Sequence, residues 1–411
     1  MNYELFIAKR IIAGKEYKNS ISSPIIKIAI TAIALGIIIM MISIATGTGL
    51  QTKIKEKISG FKGHVVITNY DDNSSDVSIS PVDIDQDFYP KFQHIDGIKN
   101  VQIFANKAGL IRTAEDFEGI VLKGVSKDYD WTFFKEYLIE GTLLDFNKSR
   151  TRDVLLSKSL VDRLNLHLKD TINVFFMKSE PNQLPSRYKM VVTGIFDTGF
   201  NQFDKNMMIG DIREVQRLNK WSDQQVGGFE VLLDDFNKIE EKGNEIYTSI
   251  GSTLNSNTVV DLYPIIFEWV SLFDNNIWFI IGIMILVASI NMITALLVLI
   301  LERVQMIGIL KALGASNWSI RKVFLYNAAY LILKGLFWGN LIGFALLFAQ
   351  YYFGFITLNP ETYYVSKVPI SFNILTILLL NIGTLVMCFL LLLLPSFIIS
   401  KISPVKSIKF A

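Results

Sequence analysis

Residues 277–301, IWFIIGIMILVASINMITALLVLIL, run directly into residues 302–316, ERVQMIGILKALGAS. The first stretch holds 25 residues and no charged side chain, in a chain whose charged share is 19%. About 20 apolar residues cross a bilayer as a helix, so this stretch reads as a transmembrane span. The second stretch is mixed. Glu302, Arg303 and Lys311 interrupt Val304, Ile307, Leu310 and Leu313, which recur three apart. That spacing predicts a short amphipathic helix, with Gly314 placed to end it and Ser316 placed to cap the next helix. Gly308 falls in mid-helix, where it costs about 1 kcal/mol against alanine, so a close packing contact is expected there. Two readings of the stretch stand side by side: a helix that meets another protein's backbone at Gly308, and a helix lying on the membrane surface.

Working outward, three more windows are equally apolar: Ile28–Ala45, Val323–Phe353 and Ile374–Ile399, with Lys334 the one charge among them. They account for a composition that is 51% hydrophobic with a mean hydropathy of +0.37. The first window extends without charge to Leu50 and is expected to be an uncleaved span, because its basic lead is long and no small-residue cleavage pattern follows. Basic residues flank the spans unevenly. Lys9, Arg10, Lys15, Lys18 and Lys27 precede the first span; Arg303, Lys311, Arg321 and Lys322 lie between the second and third; Lys401, Lys406 and Lys409 follow the fourth. The loop between spans three and four has Lys367 opposed by Glu361. The positive-inside rule then puts both termini in the cytoplasm. The resulting organisation is a cytoplasmic amphipathic segment 1–27, span 28–50, outer domain 51–274, span 275–301, cytoplasmic loop 302–322, span 323–353, outer loop 354–373, span 374–399 and cytoplasmic tail 400–411.

The outer domain alternates strand and helix signals. A helical continuation of the first span, with Leu50, Ile54 and Ile58 on one face, is expected to stop at Gly60 and Gly63. Strands are expected at His64–Thr68, Val101–Phe104, Gly119–Val125, Asp153–Leu156, Thr171–Met177, Lys189–Ile195, Phe229–Leu233 and Thr258–Leu262. Helices are expected near Asp130–Leu138, from Ser157 to Leu164, at Asp211–Leu218 and at Phe236–Ser249. The fold class is therefore an α-helical membrane protein with four transmembrane helices and a large α+β domain between the first two. Within that domain, Lys178–Arg187 (KSEPNQLPSR) is longer than a tight hairpin needs and reads either as a partner-docking loop or as a solvated tip. Asp71–Asp76 (DDNSSD) lacks the Gly and terminal Glu of a calcium loop and reads as a surface turn.

Inside the spans, Gly335, Gly339 and Gly343 are four apart and form a small-residue ridge, suited to packing within the chain or against a second copy. Asn291 and Asn381 are expected to make hydrogen bonds between helices, and Lys334 to snorkel toward the interface. One cysteine, Cys388, excludes an intramolecular disulfide. Three scattered histidines, His64, His94 and His167, argue against a metal centre. With no G-x-x-x-x-G-K-[ST], G-x-S-x-G or H-E-x-x-H, catalysis by this chain alone is not expected.

The order of one span, a large outer domain and three spans, together with the loop pattern E-R-x-x-x-I-G-I-L-K-A-L-G-A, resembles MacB/FtsX-type ABC transporter permeases. Several motifs are similar to the lipoprotein-releasing LolC/LolE branch: Leu5–Arg10 (LFIAKR); Gly49-Leu50 with Ile54, Ile58 and Gly60; Asn291–Thr294 (NMIT); and Leu394-Pro395-Ser396 with Pro404-Val405. The resemblance covers the chain. It implies an outer domain of two subdomains on helical stalks, and a homo- or heterodimer in a bacterial inner membrane with that domain in the periplasm. It implies a separate cytoplasmic ATPase, which binds the ATP, gripping Glu302, Ile307, Gly308, Leu310, Lys311, Leu313 and Gly314; this chain would be a transport subunit without a cofactor of its own. It implies extraction of lipoproteins from the membrane and their transfer to a periplasmic carrier. That carrier would dock at the loop bearing Pro181, Asn182, Pro185 and Arg187. The alternatives within the superfamily are a MacB-like efflux permease and an FtsX-like signalling subunit that activates a cell-wall hydrolase.

Overall fold

Long uncharged runs become long helices. In the computed structural model, which describes residues 3–13, 23–70, 76–113, 116–146, 150–177 and 185–402, four helices are long and apolar enough to cross a membrane. They are span 1 (Ser23–Lys62), span 2 (Pro264–Glu302), span 3 (Asn317–Phe353) and span 4 (Ile374–Ser396), the last continued by a short turn Ile398–Lys401. The first three apolar windows thus lie within longer helices, and the fourth runs through span 4 into the turn that follows it. The chain separates into two compact units: Met1–Leu50 with Ser271–Ile356 and Val368–Ala411, and Gln51–Val270 with Thr357–Lys367.

The membrane unit is organised around span 1, whose Ile33, Ile37, Met40 and Met41 are fully buried. Gly335, Gly339 and Gly343 of span 3 face it. A Cβ added at Gly335 would fall 2.7 Å from Ile33 Cβ, and one at Gly339 would fall 2.8 Å from Ile37 Cβ. The ridge is therefore an intrachain seam, where small residues let two helices approach to backbone distance. Spans 3 and 4 are joined by a reciprocal amide pair: Asn340 Nδ2 donates to Asn381 Oδ1 (2.6 Å), and Asn381 Nδ2 donates to Asn340 Oδ1 (3.0 Å). Asn381 behaves as expected. Asn291 does not: its Nδ2 donates to Val287 O one turn back on its own helix (2.9 Å). Asn381 makes the same bond to its own helix, to Ile377 O at 2.8 Å, beside its pair with Asn340.

The second unit is built on a mixed sheet of β1 (Val65–Asn69), β3 (Ile98–Arg112), β4 (Phe117–Val125), β5 (Leu138–Gly141), β6 (Asp153–Ser157), β7 (Thr171–Phe176), β8 (Ser186–Phe196), β9 (Met207–Asp211), β11 (Gly228–Leu233) and β12 (Leu254–Thr258); β2 (Val82–Asp83) and β10 (Gln225–Val226) form a separate small ladder. The order is β12-β1-β11-β3-β4-β9-β6-β8-β5, with β7 against β3 and β8. The pairs β4–β9 and β6–β8 are parallel and the others antiparallel. β3 is 15 residues long; its first half pairs with β11 and its second half with β4 and, at the end, β7, so one strand ties the two ends of the sheet together.

Three expectations need correction. Gly60 does not stop the first helix: the helix runs to Lys62, Gly60 lies flat against the Phe133 ring, and Gly63, at φ +71°, makes the turn. Thr258–Leu262 is not a strand. Thr258 ends β12, and its hydroxyl accepts from Asp261 N while Asp261 Oδ2 accepts from Thr258 N, a capping box that starts a helical turn. The loop 354–373 is not simply a connector, since Thr357–Lys367 belongs to the second unit. Within that unit, the Tyr364 ring stacks on Phe200 at 4.9 Å and its carbonyl accepts from Lys57 Nζ at 2.9 Å. Asp71–Ser75 lie outside the described residues.

Among the deepest charges of the second unit are Lys123 on β4 and Glu230 on β11, each with a side chain 1% exposed. Lys123 Nζ reaches Glu230 Oε1 at 2.6 Å and Oε2 at 2.8 Å and also donates to Phe61 O; Gln102 Nε2 donates to Glu230 Oε2 at 2.9 Å. A cation thus caps the last carbonyls of the span 1 helix, where the helix dipole is negative, and a buried carboxylate neutralises it. Burial lowers the Lys123 pKa and the Glu230 charge opposes that shift.

Candidate functional site

The loop after span 2 forms one helix, Val304–Ala312. It ends as its sequence requires. Gly314 N donates to Lys311 O and Ala315 N to Leu310 O, both at 3.0 Å, with Gly314 at φ +89°, which is a Schellman termination. Ser316 Oγ then accepts from Ser319 N and starts span 3. The helix is short, and its C-terminal end is closed by this motif, while Arg303 at its start supplies no side-chain cap.

Its faces are divided differently from the expectation. Ile307 and Gly308 are buried inside the chain, and Val304 and Leu310 are half-buried. Lys311 also turns inward: its Nζ donates to Ile399 O and Ile402 O, each at 2.8 Å, and so caps the last turn after span 4. Arg321 supplies a second tie, with Nε donating to Ser396 Oγ (3.1 Å) and its guanidinium 3.8 Å from the Phe397 ring centroid. Ser396 of the Leu-Pro-Ser motif is thereby a bracket between spans 3 and 4. Of the residues expected to meet a partner, Ile307 and Gly308 are buried within this chain and Lys311 is tied to the carbonyls after span 4.

What remains outward is Gln305, Ile309, Ala312, Leu313 and Gly314, with Glu302 exposed at the end of span 2. Ile309 is 48% and Leu313 79% exposed. Two aliphatic side chains side by side on a polar loop are an unsatisfied surface. Of the expected contact residues, then, Glu302, Leu313 and Gly314 lie on the open face, which also carries Gln305, Ile309 and Ala312. The positions 305, 309 and 312 carry a helical period of their own that the eye passes over beside the stronger stripe at 304, 307 and 310.

The other expected site is the connection between β7 and β8, which pair antiparallel with Phe176 opposite Ser186. It is a hairpin, and Pro181 and Asn182 lie outside the described residues. Pro185 lines a shallow groove with Leu110, Phe175 and Met177. Arg187 is on β8, and its Nε donates across the ladder to Asn173 Oδ1 at 3.0 Å.

Four spans, an α+β unit inserted between the first two, and a short capped helix in the second loop define a membrane permease by architecture. Residues 28–246 match the family described as the MacB-like periplasmic core domain, and residues 278–404 match the FtsX-like permease C-terminal family. The chain belongs to the FtsX-like permeases that carry a MacB-like periplasmic core domain. It is 20% identical to the lipoprotein-releasing system transmembrane protein LolE of Haemophilus influenzae, over 98% of both chains. It is 21% identical to LolC of Neisseria meningitidis, over 99% of both. The periplasmic region of MacB from Actinobacillus actinomycetemcomitans aligns with 52% of this chain and 97% of its own, at 18% identity and a TM-score of 0.35.

Proposed function

We propose that the chain is the membrane subunit of a lipoprotein-releasing ABC transporter in a bacterial inner membrane. The observation that carries the reading is the end-to-end similarity to proteins named as lipoprotein-releasing permeases, spans and inserted domain together. In this reading both termini and the loop helix are cytoplasmic, as the basic flanks argue, and the inserted domain is periplasmic. A separate ATPase docks on the loop helix through Ile309 and Leu313, with Glu302 and Gly314 at the edges. ATP is bound by that partner. Lys311 and Arg321 do not touch it; they hold the helix to the ends of spans 3 and 4, so that force applied to the helix is passed to the spans. The permease works as a dimer with a second copy or a paralogue. The inserted domain passes the acylated protein to a carrier that meets the β7–β8 hairpin around Pro181, Asn182 and Pro185, while Arg187, tied to Asn173, stiffens its base.

Depletion of the protein tests this. After a pulse label, acylated proteins bound for the outer membrane should accumulate in the inner-membrane fraction, and unacylated periplasmic proteins should not. Normal sorting of both classes would reject the lipoprotein reading.

A further inference from the structure

The N-terminal helix Tyr3–Ala13 packs against the start of span 3 and sorts its side chains by charge. Ala8 is buried, and Glu4, the helix's acidic residue, turns inward: it accepts from Ser319 Oγ at 3.1 Å and lies 3.6 Å from Lys322 Nζ. The opposite face carries Tyr3, Leu5 and Phe6 interleaved with Lys9 and Arg10, all exposed. The Arg10 guanidinium is 6.0 Å from the Phe6 ring centroid. The pattern continues onto span 3, where Trp318 is 51% exposed with Arg321 and Lys322 at 5.3 and 5.9 Å from its ring.

A helix facing water does not present three large apolar side chains outward. A helix in the headgroup layer does, because rings and aliphatic chains reach the acyl boundary while cations remain among the phosphates. Tryptophan is at home in the same layer. The helix packs on a membrane span, so the bilayer boundary is the surface this face meets, and the charges on that face are all positive.

We propose that Tyr3–Ala13 is an interfacial anchor that recognises anionic phospholipid: Tyr3, Leu5 and Phe6 enter the acyl boundary and Lys9 and Arg10 bind the phosphate headgroups. The inference is independent of what the permease transports. Two measurements on the full chain test it. A nitroxide placed through Phe6→Cys, in bilayers containing phosphatidylglycerol, should collide more with oxygen dissolved in the acyl region than with a water-soluble nickel chelate. A label reached mainly by the chelate would overturn the anchor and leave this face for a protein partner. Native mass spectra from micelles with equal phosphatidylglycerol and phosphatidylcholine should show retained phosphatidylglycerol. Lys9→Gln with Arg10→Gln should lower that preference about 25-fold, since each basic side chain near an anionic surface is worth about 1 kcal/mol, about fivefold. Lys9→Arg with Arg10→Lys should keep it. An unchanged preference in the glutamine variant would overturn the headgroup role.

Discussion

Two buried residues in the inserted domain show how much one side chain decides. Lys123 and Glu230 are desolvated together, so removing either leaves an uncompensated charge. Lys123→Met should cost about 3–5 kcal/mol in urea unfolding followed by tryptophan fluorescence, whereas Lys123→Met combined with Glu230→Leu should recover most of it. Equal losses in single and double variants would show that the charges do not act as a pair. Asp204 gives a pH signature. Burial raises its pKa to about 6 from an ordinary 3.8, with Thr198 Oγ1 donating to its carboxylate at 2.7 Å and partly opposing the rise. A carboxyl that holds its proton more tightly when folded stabilises the fold below about pH 4. That contribution is lost as pH rises to 6, and the difference amounts to about 3 kcal/mol. Asp204→Asn should therefore flatten the stability profile between pH 4 and 6 and raise the melting temperature at pH 7.5; an unchanged profile would contradict the assignment. None of this was legible in the sequence. Lys123 and Glu230 lie 107 residues apart, on strands that read as ordinary half-buried segments. Their partnership exists only once β4 and β11 are both in register on β3, which lies between them.

At the scale of elements, the sequence says most where composition is extreme. The spans announce themselves because a bilayer excludes charge. Strands β5 and β9 pass unnoticed because four or five residues beside a helix carry too little periodicity to stand out. The loop helix is intermediate: its existence was readable from its apolar spacing and its end from Gly314, but its orientation was not. An apolar stripe on a short helix fits a partner and its own chain equally well. Two substitutions exploit what the structure adds. Gly339→Val puts a branched side chain where even a Cβ would lie 2.8 Å from Ile37, and should lower the melting temperature in detergent by many degrees. Gly383→Ala in span 4 meets nothing within 4 Å and should be neutral. On the loop helix, Leu313→Asp should abolish co-purification of the ATPase while leaving the melting temperature of the permease within a degree or two. Retained co-purification would move the docking face elsewhere.

For the whole molecule, the order of its parts was plain from hydropathy, but the allocation of its connections was not. Thr357–Lys367 reads as a loop between spans 3 and 4, yet it is built into the inserted unit through Tyr364 against Phe200 and Lys57. Aromatic residues in a short polar loop are a faint signal of such docking, and only the fold says where they go. The direct test of the account is reconstitution. Proteoliposomes holding this chain, its ATPase and a fluorescent acylated protein should release that protein to a soluble carrier when ATP is added. Release should fall to background with Leu313→Asp, and a non-acylated version of the substrate should not respond. ATP-independent release, or equal release in the Leu313→Asp variant, would contradict the central claim.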